Sequence, residues 1–109
     1  MKLGKITWCP GCPNFGILES AKRAISELKI EKETVMVTGI WCHGKIFDYL
    51  ALSGVYALHG RALPVSIGIK IGNPNLNVIV FAGDGDAYAE GMEHFIHACR
   101  YNADISLFV

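Results

Sequence analysis

The chain has 109 residues, 51% of them apolar, and its ten Lys and Arg balance ten Asp and Glu. That length fits one domain with ample material for a core, and the charge balance leaves neither a basic surface for nucleic acid nor a charged tail. No run is long enough for a membrane span or a signal peptide, so the sequence points to a cytoplasmic chain, in which four cysteines favour metal or redox chemistry over structural disulfides.

Taken in chain order, the elements alternate. Asn14 is placed to cap a helix whose apolar positions are Ile17, Leu18, Ala21, Ala24, Ile25 and Leu28, with Lys22, Arg23 and Glu27 largely on the other face. TVMVTGI, residues 34–40, is short and β-branched and predicts a buried strand. KIFDYLAL, residues 45–52, predicts a short helix, and SGVYALHGR after it a loop or broken turn. Pro64 suits the first turn of a helix that runs to about Gly72 and ends at Asn73-Pro74. NVIVFAG, residues 77–83, is the clearest strand. A helix follows from Asp86 to Tyr101 with Ala89, Met92, Phe95, Ile96 and Cys99 on one side, and DISLFV, residues 104–109, predicts a last buried strand. The pattern implies an α/β fold, a parallel sheet with helices on both faces. The chain ends inside an apolar run, so we expect the N-terminal piece of a longer polypeptide.

Ligands of such sheets bind at the carboxyl ends of the strands. FAGDGDAYAEG, residues 81–91, sits at one such end, and Gly83 and Gly85 allow close approach of a ligand. A phosphate beside Asp84 and Asp86 would be repelled unless a divalent cation reversed the sign, and Mg²⁺ is often held by carboxylates together with substrate phosphates. GDGD therefore reads as a metal–diphosphate site with Asp84 the expected ligand. The competing reading is a tight turn with an aspartate helix cap. Tyr88 stands where a dinucleotide fingerprint needs a third small residue.

Cys9 and Cys12 form CPGC, and Cys42 follows the first strand. Three thiolates on two loops suit an iron–sulfur cluster, which usually takes four. Cys99, on the apolar side of its helix, reads as core, so the fourth ligand is expected beyond Val109. Two rivals remain open. WCPGC resembles a thioredoxin motif, although too little sequence precedes it. Zinc on Cys9, Cys12, Cys42 and His43 is the other, although adjacent residues serve one tetrahedral ion poorly. His43 then reads as a cofactor neighbour or an ordinary loop residue, and His94 and His97 as surface or interface residues.

WCPGCPNFGI, then TGIWCHGKI, then the run from ALHGRALP to the end, in this order and spacing, resemble the β subunits of 2-oxoacid:ferredoxin oxidoreductases from Trp8 to Val109. The resemblance implies that residues 1–109 are the N-terminal portion of a single thiamine-diphosphate-binding domain carrying Mg²⁺ and a 4Fe-4S cluster. It implies Asp84 as Mg²⁺ ligand, Gly83, Gly85 and Asp86 as the diphosphate loop, and Cys9, Cys12 and Cys42 as cluster ligands. Lys45 matches a basic residue near cofactor and substrate carboxylate, and His59 and Arg61 lie on the HGRA segment near the cofactor pocket. The activity implied is oxidative decarboxylation of a 2-oxo acid to acyl-coenzyme A and CO₂, with electrons leaving through the cluster to ferredoxin. An α subunit is the implied partner and supplies the glutamate that activates the cofactor. Without the resemblance, Lys45 reads as a solvated residue at a helix start and Arg61 as a helix-start salt-bridge partner. The chain departs from the family at Pro13, Trp41 and His43, where small residues are common. It also ends short of the Asp-Asn motif that holds the second Mg²⁺ ligand. The alternatives are a non-redox thiamine-diphosphate enzyme and a non-catalytic zinc or redox module.

Overall fold

The computed structural model describes residues 4–109. Its elements are α1 (Asn14–Leu28), β1 (Thr34–Thr38), the single turn α2 (Trp41–Gly44) continued by a 3₁₀ turn (Lys45–Asp48), β2 (Ser53–Tyr56), α3 (Ala62–Gly72), β3 (Asn77–Phe81), a π-helical turn (Gly85–Glu90), α4 (Met92–Arg100) and β4 (Ser106–Phe108). The four strands form one parallel sheet in the order β2-β1-β3-β4, with Val37 of β1 opposite Val55 on one side and Val80 on the other.

Alternation along the central strands builds a core on each face. Met36, Ile79 and Phe81 point to one side, where Leu18 and Ile25 of α1 and Ile46, Tyr49 and Leu50 complete the packing. Val37, Val78 and Val80 point to the other, against Ala62, Val65 and Ile69 of α3 and Ala87. The expected two-faced parallel sheet is what the chain forms.

Several local expectations change. Pro13, not Asn14, occupies the cap of α1, and having no side-chain acceptor it leaves the first turn uncapped, while the Asn14 amide meets His43. Ile17, Leu18, Ala21 and Ile25 of α1 pack inward as expected, whereas Ala24 and Leu28 are exposed. Residues 45–52 hold only the 3₁₀ turn. SGVY, expected as a loop, is the edge strand β2, recruited by register against β1 although all four of its residues are exposed. That is a tertiary override of weak local propensity.

The helix expected from Asp86 to Tyr101 is split at Gly91, and the π turn shifts its phase. Ala87 and Ala98 are therefore the buried residues, while Ala89, Met92, Ile96 and Cys99 face outward, so Cys99 is not core. β4 is the other edge strand rather than a buried one. Its Phe108 is half-exposed and stacks on Phe81 with ring centroids 5.4 Å apart.

Phe81 is fully buried at the centre of the first core. Phe81→Ala is expected to cost about 3–5 kcal/mol in chemical denaturation. Ile96→Ala, at an exposed position, is expected to stay within about 0.5 kcal/mol.

Candidate functional site

The chain leaves the neighbouring strands β1 and β3 toward opposite faces of the sheet: residues 41–50 pack with α1, residues 85–100 with α3. In an open parallel sheet that divergence opens a crevice beyond the strand ends. A cleft of about 430 Å³ lies there, lined by Ile40, Trp41, Cys42 and His43 after β1, Gly83 and Asp84 after β3, Asn14 at the start of α1, and Val109.

The two aspartates of GDGD part company in it. Asp84 is exposed on the cleft. Asp86 is only 3% exposed and faces into the protein. Its Oδ2 accepts the Ile40 N–H at 2.7 Å, and its Oδ1 accepts the Gly60 N–H at 2.8 Å together with His59 Nδ1. One buried carboxylate thus joins the ends of β1 and β3 to the HGRA segment. Gly39 is required beside it: a Cβ there would lie 2.0 Å from Asp86 Oδ2. In contrast, a Cβ on Gly83 or Gly85 would meet nothing within 4 Å, leaving open space in front of the loop.

The remaining candidates take distinct places. Arg61 forms no salt bridge among the described residues, and its Nη1 donates to the carbonyls of Gly60 and Glu90 at 3.2 and 3.3 Å. Lys45 donates from Nζ to Thr7 Oγ1 at 2.9 Å and is not among the residues lining the cleft. His43 is half-buried, with Nδ1 2.8 Å from Asn14 Oδ1 and Nε2 buried without a hydrogen-bond partner among the described residues. Burial lowers its pKa below the ordinary histidine value, opposed by the Phe108 carbonyl. His97 stacks on Tyr101 at the surface.

CPGC folds as a tight turn, with the Cys12 N–H donating to the Cys9 carbonyl at 3.1 Å. Pro10 at the second position and Gly11 at φ +78° at the third are the signature of a type II turn. Cys9 and Cys42 are exposed thiols and Cys12 is half-buried. Among the described residues no three His, Cys, Asp or Glu side chains converge as a single metal ion requires. Cys9, Cys12 and Cys42 lie on two loops joined by a hydrogen bond from the Trp8 indole, and sulfur donors of this kind would suit an iron–sulfur cluster larger than one ion. The open face before Gly83 and Gly85, with the exposed Asp84 carboxylate beside it, suits a cation-bridged diphosphate.

Sequence reasoning passed over three participants. The Trp8 indole donates from Nε1 to the Cys42 carbonyl at 2.6 Å. Asn14 holds His43, and the Ile40 N–H is one of the donors to Asp86. Only Trp8 carried a signal, an aromatic residue abutting a cysteine motif. Trp41 is 72% exposed with φ +75°, a conformation that costs a non-glycine residue about 1–2 kcal/mol.

Comparison with known proteins identifies the family and the fold. Residues 33–109 match the family model of the thiamine pyrophosphate enzyme, C-terminal TPP binding domain. The chain is 52% identical over 105 residues to the 2-oxoacid:ferredoxin oxidoreductase subunit beta of Saccharolobus solfataricus, covering 94% of this chain and 34% of that one. It is 51% identical over 102 residues to the 2-oxoglutarate synthase subunit KorB of Archaeoglobus fulgidus, covering 94% and 38%. Among solved structures, the 2-oxoglutarate:ferredoxin oxidoreductase from Magnetococcus marinus, with 2-oxoglutarate, coenzyme A and succinyl-CoA bound, superposes with a TM-score of 0.92 at 36% identity. The match covers 97% of this chain and 37% of that one. The chain thus spans little more than a third of the length of these relatives.

Gly39→Ala is expected to displace the Asp86 carboxylate from its donors and destabilise the fold by about 1–3 kcal/mol. Gly83→Ala, with open space for its methyl, is expected to change stability by less than about 0.5 kcal/mol. Parallel urea titrations of the two variants check both.

Proposed function

We propose, from the premise that the chain belongs to the thiamine pyrophosphate enzyme family through its C-terminal TPP binding domain, that it supplies part of the β subunit of a 2-oxoacid:ferredoxin oxidoreductase. The observation that carries the reading is the cleft at the ends of β1 and β3, where Asp84 and Cys42 line one cavity. The similarity to β subunits of such oxidoreductases supports the same assignment.

In this reading Asp84 holds Mg²⁺ against the cofactor diphosphate, and Gly83 and Gly85 keep the loop free of side chains where the phosphates lie. Asp86 holds that loop to β1 and to His59 from behind. Cys9, Cys12 and Cys42 bind a 4Fe-4S cluster with a fourth thiolate from outside this chain. His43 and Arg61 border the cofactor, and Lys45 is the cation for the substrate carboxylate, which requires its Nζ to leave Thr7. The bound thiamine diphosphate supplies an electron sink for loss of CO₂ from a 2-oxo acid, and the cluster a route for electrons to ferredoxin. The partner is an α subunit, and coenzyme A takes the acyl group. No helix among the described residues is long and apolar enough to cross a membrane.

The protein's contribution is electrostatic and positional. An uncompensated carboxylate next to a diphosphate is repulsive, and a shared divalent cation turns the pair attractive. Asp84→Ala in the complete complex is expected to abolish Mg²⁺-dependent thiamine diphosphate binding, measured by calorimetry, while leaving the melting temperature unchanged. Binding that persists at wild-type affinity would remove Asp84 from the role. Cys12→Ala is expected to lose the cluster, read as iron per complex. A wild-type complex that binds thiamine diphosphate but no iron would favour a non-redox enzyme of the same family.

A further inference from the structure

The CPGC turn is bracketed by two side chains that reach the same place. Trp8, immediately before Cys9, sends its indole N–H to the carbonyl of Cys42 itself, at 2.6 Å. Asn14, two residues after Cys12, meets the ring of His43 at 2.8 Å. Both anchors are set. Trp8 is 7% exposed and sits edge-on between Phe15 and Tyr49, with centroids 5.5 and 4.9 Å away. Asn14 begins α1, whose first turn is joined to the CPGC turn by the Phe15 N–H donating to the Cys12 carbonyl at 3.2 Å. Two hydrogen bonds from opposite ends of one loop to adjacent residues of another fix both the distance and the rotation between them. A single bond would leave a hinge.

We propose that Trp8, Asn14 and His43 form a clamp that presets Cys42 against Cys9 and Cys12, so that the three thiols are arranged before any cluster is inserted. His43 acts as a positioning residue and not as a ligand. Its Nδ1 is served by the Asn14 amide in either tautomer, since the amide offers both an acceptor and a donor. The clamp gives a use to one of the departures, His43, whose ring meets Asn14 across the loops. The inference rests on the reading of the three cysteines as cluster ligands, and its test separates the two.

The complete complex is prepared with Trp8→Phe, which keeps an aromatic ring in the pocket and removes the donor, with Asn14→Ala, and with both. Iron loss to a chelator is expected to accelerate roughly three- to tenfold for each single variant, the span of one net hydrogen bond, and further for the double. The electron paramagnetic resonance spectrum of the reduced cluster should shift, and thiamine diphosphate affinity should hold in Trp8→Phe, whose ring lies outside the lining of the cleft. Asn14→Asp, which keeps an acceptor at the same reach, should restore slow loss. In the iron-stripped complex, dibromobimane bridging of Cys42 to Cys9 or Cys12, mapped by peptide mass, should fall in the same order. Unchanged iron loss and unchanged bridging in the double variant would overturn the clamp. So would a parallel fall in the cofactor affinity of Trp8→Phe, which would mark a general loosening. A wild-type complex without iron would sink the cluster reading, and the bridging yields would still decide whether the clamp exists.

Discussion

The buried carboxylate of Asp86 accepts donors from the backbone after β1, from the backbone of the HGRA segment and from a histidine ring, while its own chain continues from β3. A buried charge is costly unless it is fully hydrogen-bonded, so these partners must all be in place together or the site does not form. The consequence is geometric. The segments that leave β1 and β3 diverge to opposite faces, and without a cross-tie at their roots the crevice between them would have no defined width. Asp86 gives it one, and Gly39 supplies the close approach that lets the carboxylate reach Ile40.

The parallel sheet with helices on both faces was legible because the central strands β1 and β3 are continuous apolar runs, and only a two-faced core asks for that. The edges were harder to read. SGVY carries no strand pattern and pairs because β1 offers it a partner, and Ser106–Phe108 is half-exposed because it is the last described strand on its side. The helix after GDGD was read as one period, but Gly91 and the widened π turn before it reset the phase. That moved burial from Ala89 and Cys99 to Ala87 and Ala98. Periodicity alone has no term for a phase slip. π turns cluster at functional sites, where the local need is to aim a side chain rather than to continue a helix.

Of the candidate site, the residue types were legible and their division of labour was not. CPGC was readable as a loop that offers two cysteines, while its folding as a tight turn through Pro10 and Gly11 was seen only in the structure. That Cys42 would share a cleft with Asp84 followed from strand-end logic once both were placed after strands. Trp8 and Asn14 escaped notice because their roles lie in contacts 34 and 29 residues away along the chain. The first would have passed for packing and the second for a helix cap. Trp41 shows a related tension. It holds a large exposed aromatic ring in left-handed backbone, directly before a cysteine and on the wall of the cleft. Strain of this kind survives where the surroundings over-determine it, and the residues that do so here are Ile40, tied to Asp86, and Cys42, tied to Trp8.

The two negative charges of GDGD pose an electrostatic question that the fold answers by separation. Asp84 and Asp86 are two residues apart, yet the turn between them puts one on the cleft and the other beneath it. Asp86 is buried beneath the loop with its oxygens taken up by two backbone N–H groups and an imidazole, so it is held away from an anion arriving above. Asp84 makes no side-chain hydrogen bond among the described residues and keeps its lone pairs for the solvent side. A diphosphate at this loop would meet one uncompensated carboxylate, not two, and a divalent cation between them would turn that contact attractive. Had both aspartates faced the cleft, an arriving diphosphate would have met a second carboxylate. Had neither, the cation would have had no side-chain anchor. The alternation of exposed and buried acid along four residues is what lets the same loop be bound tightly to its scaffold and still be receptive to a charged ligand.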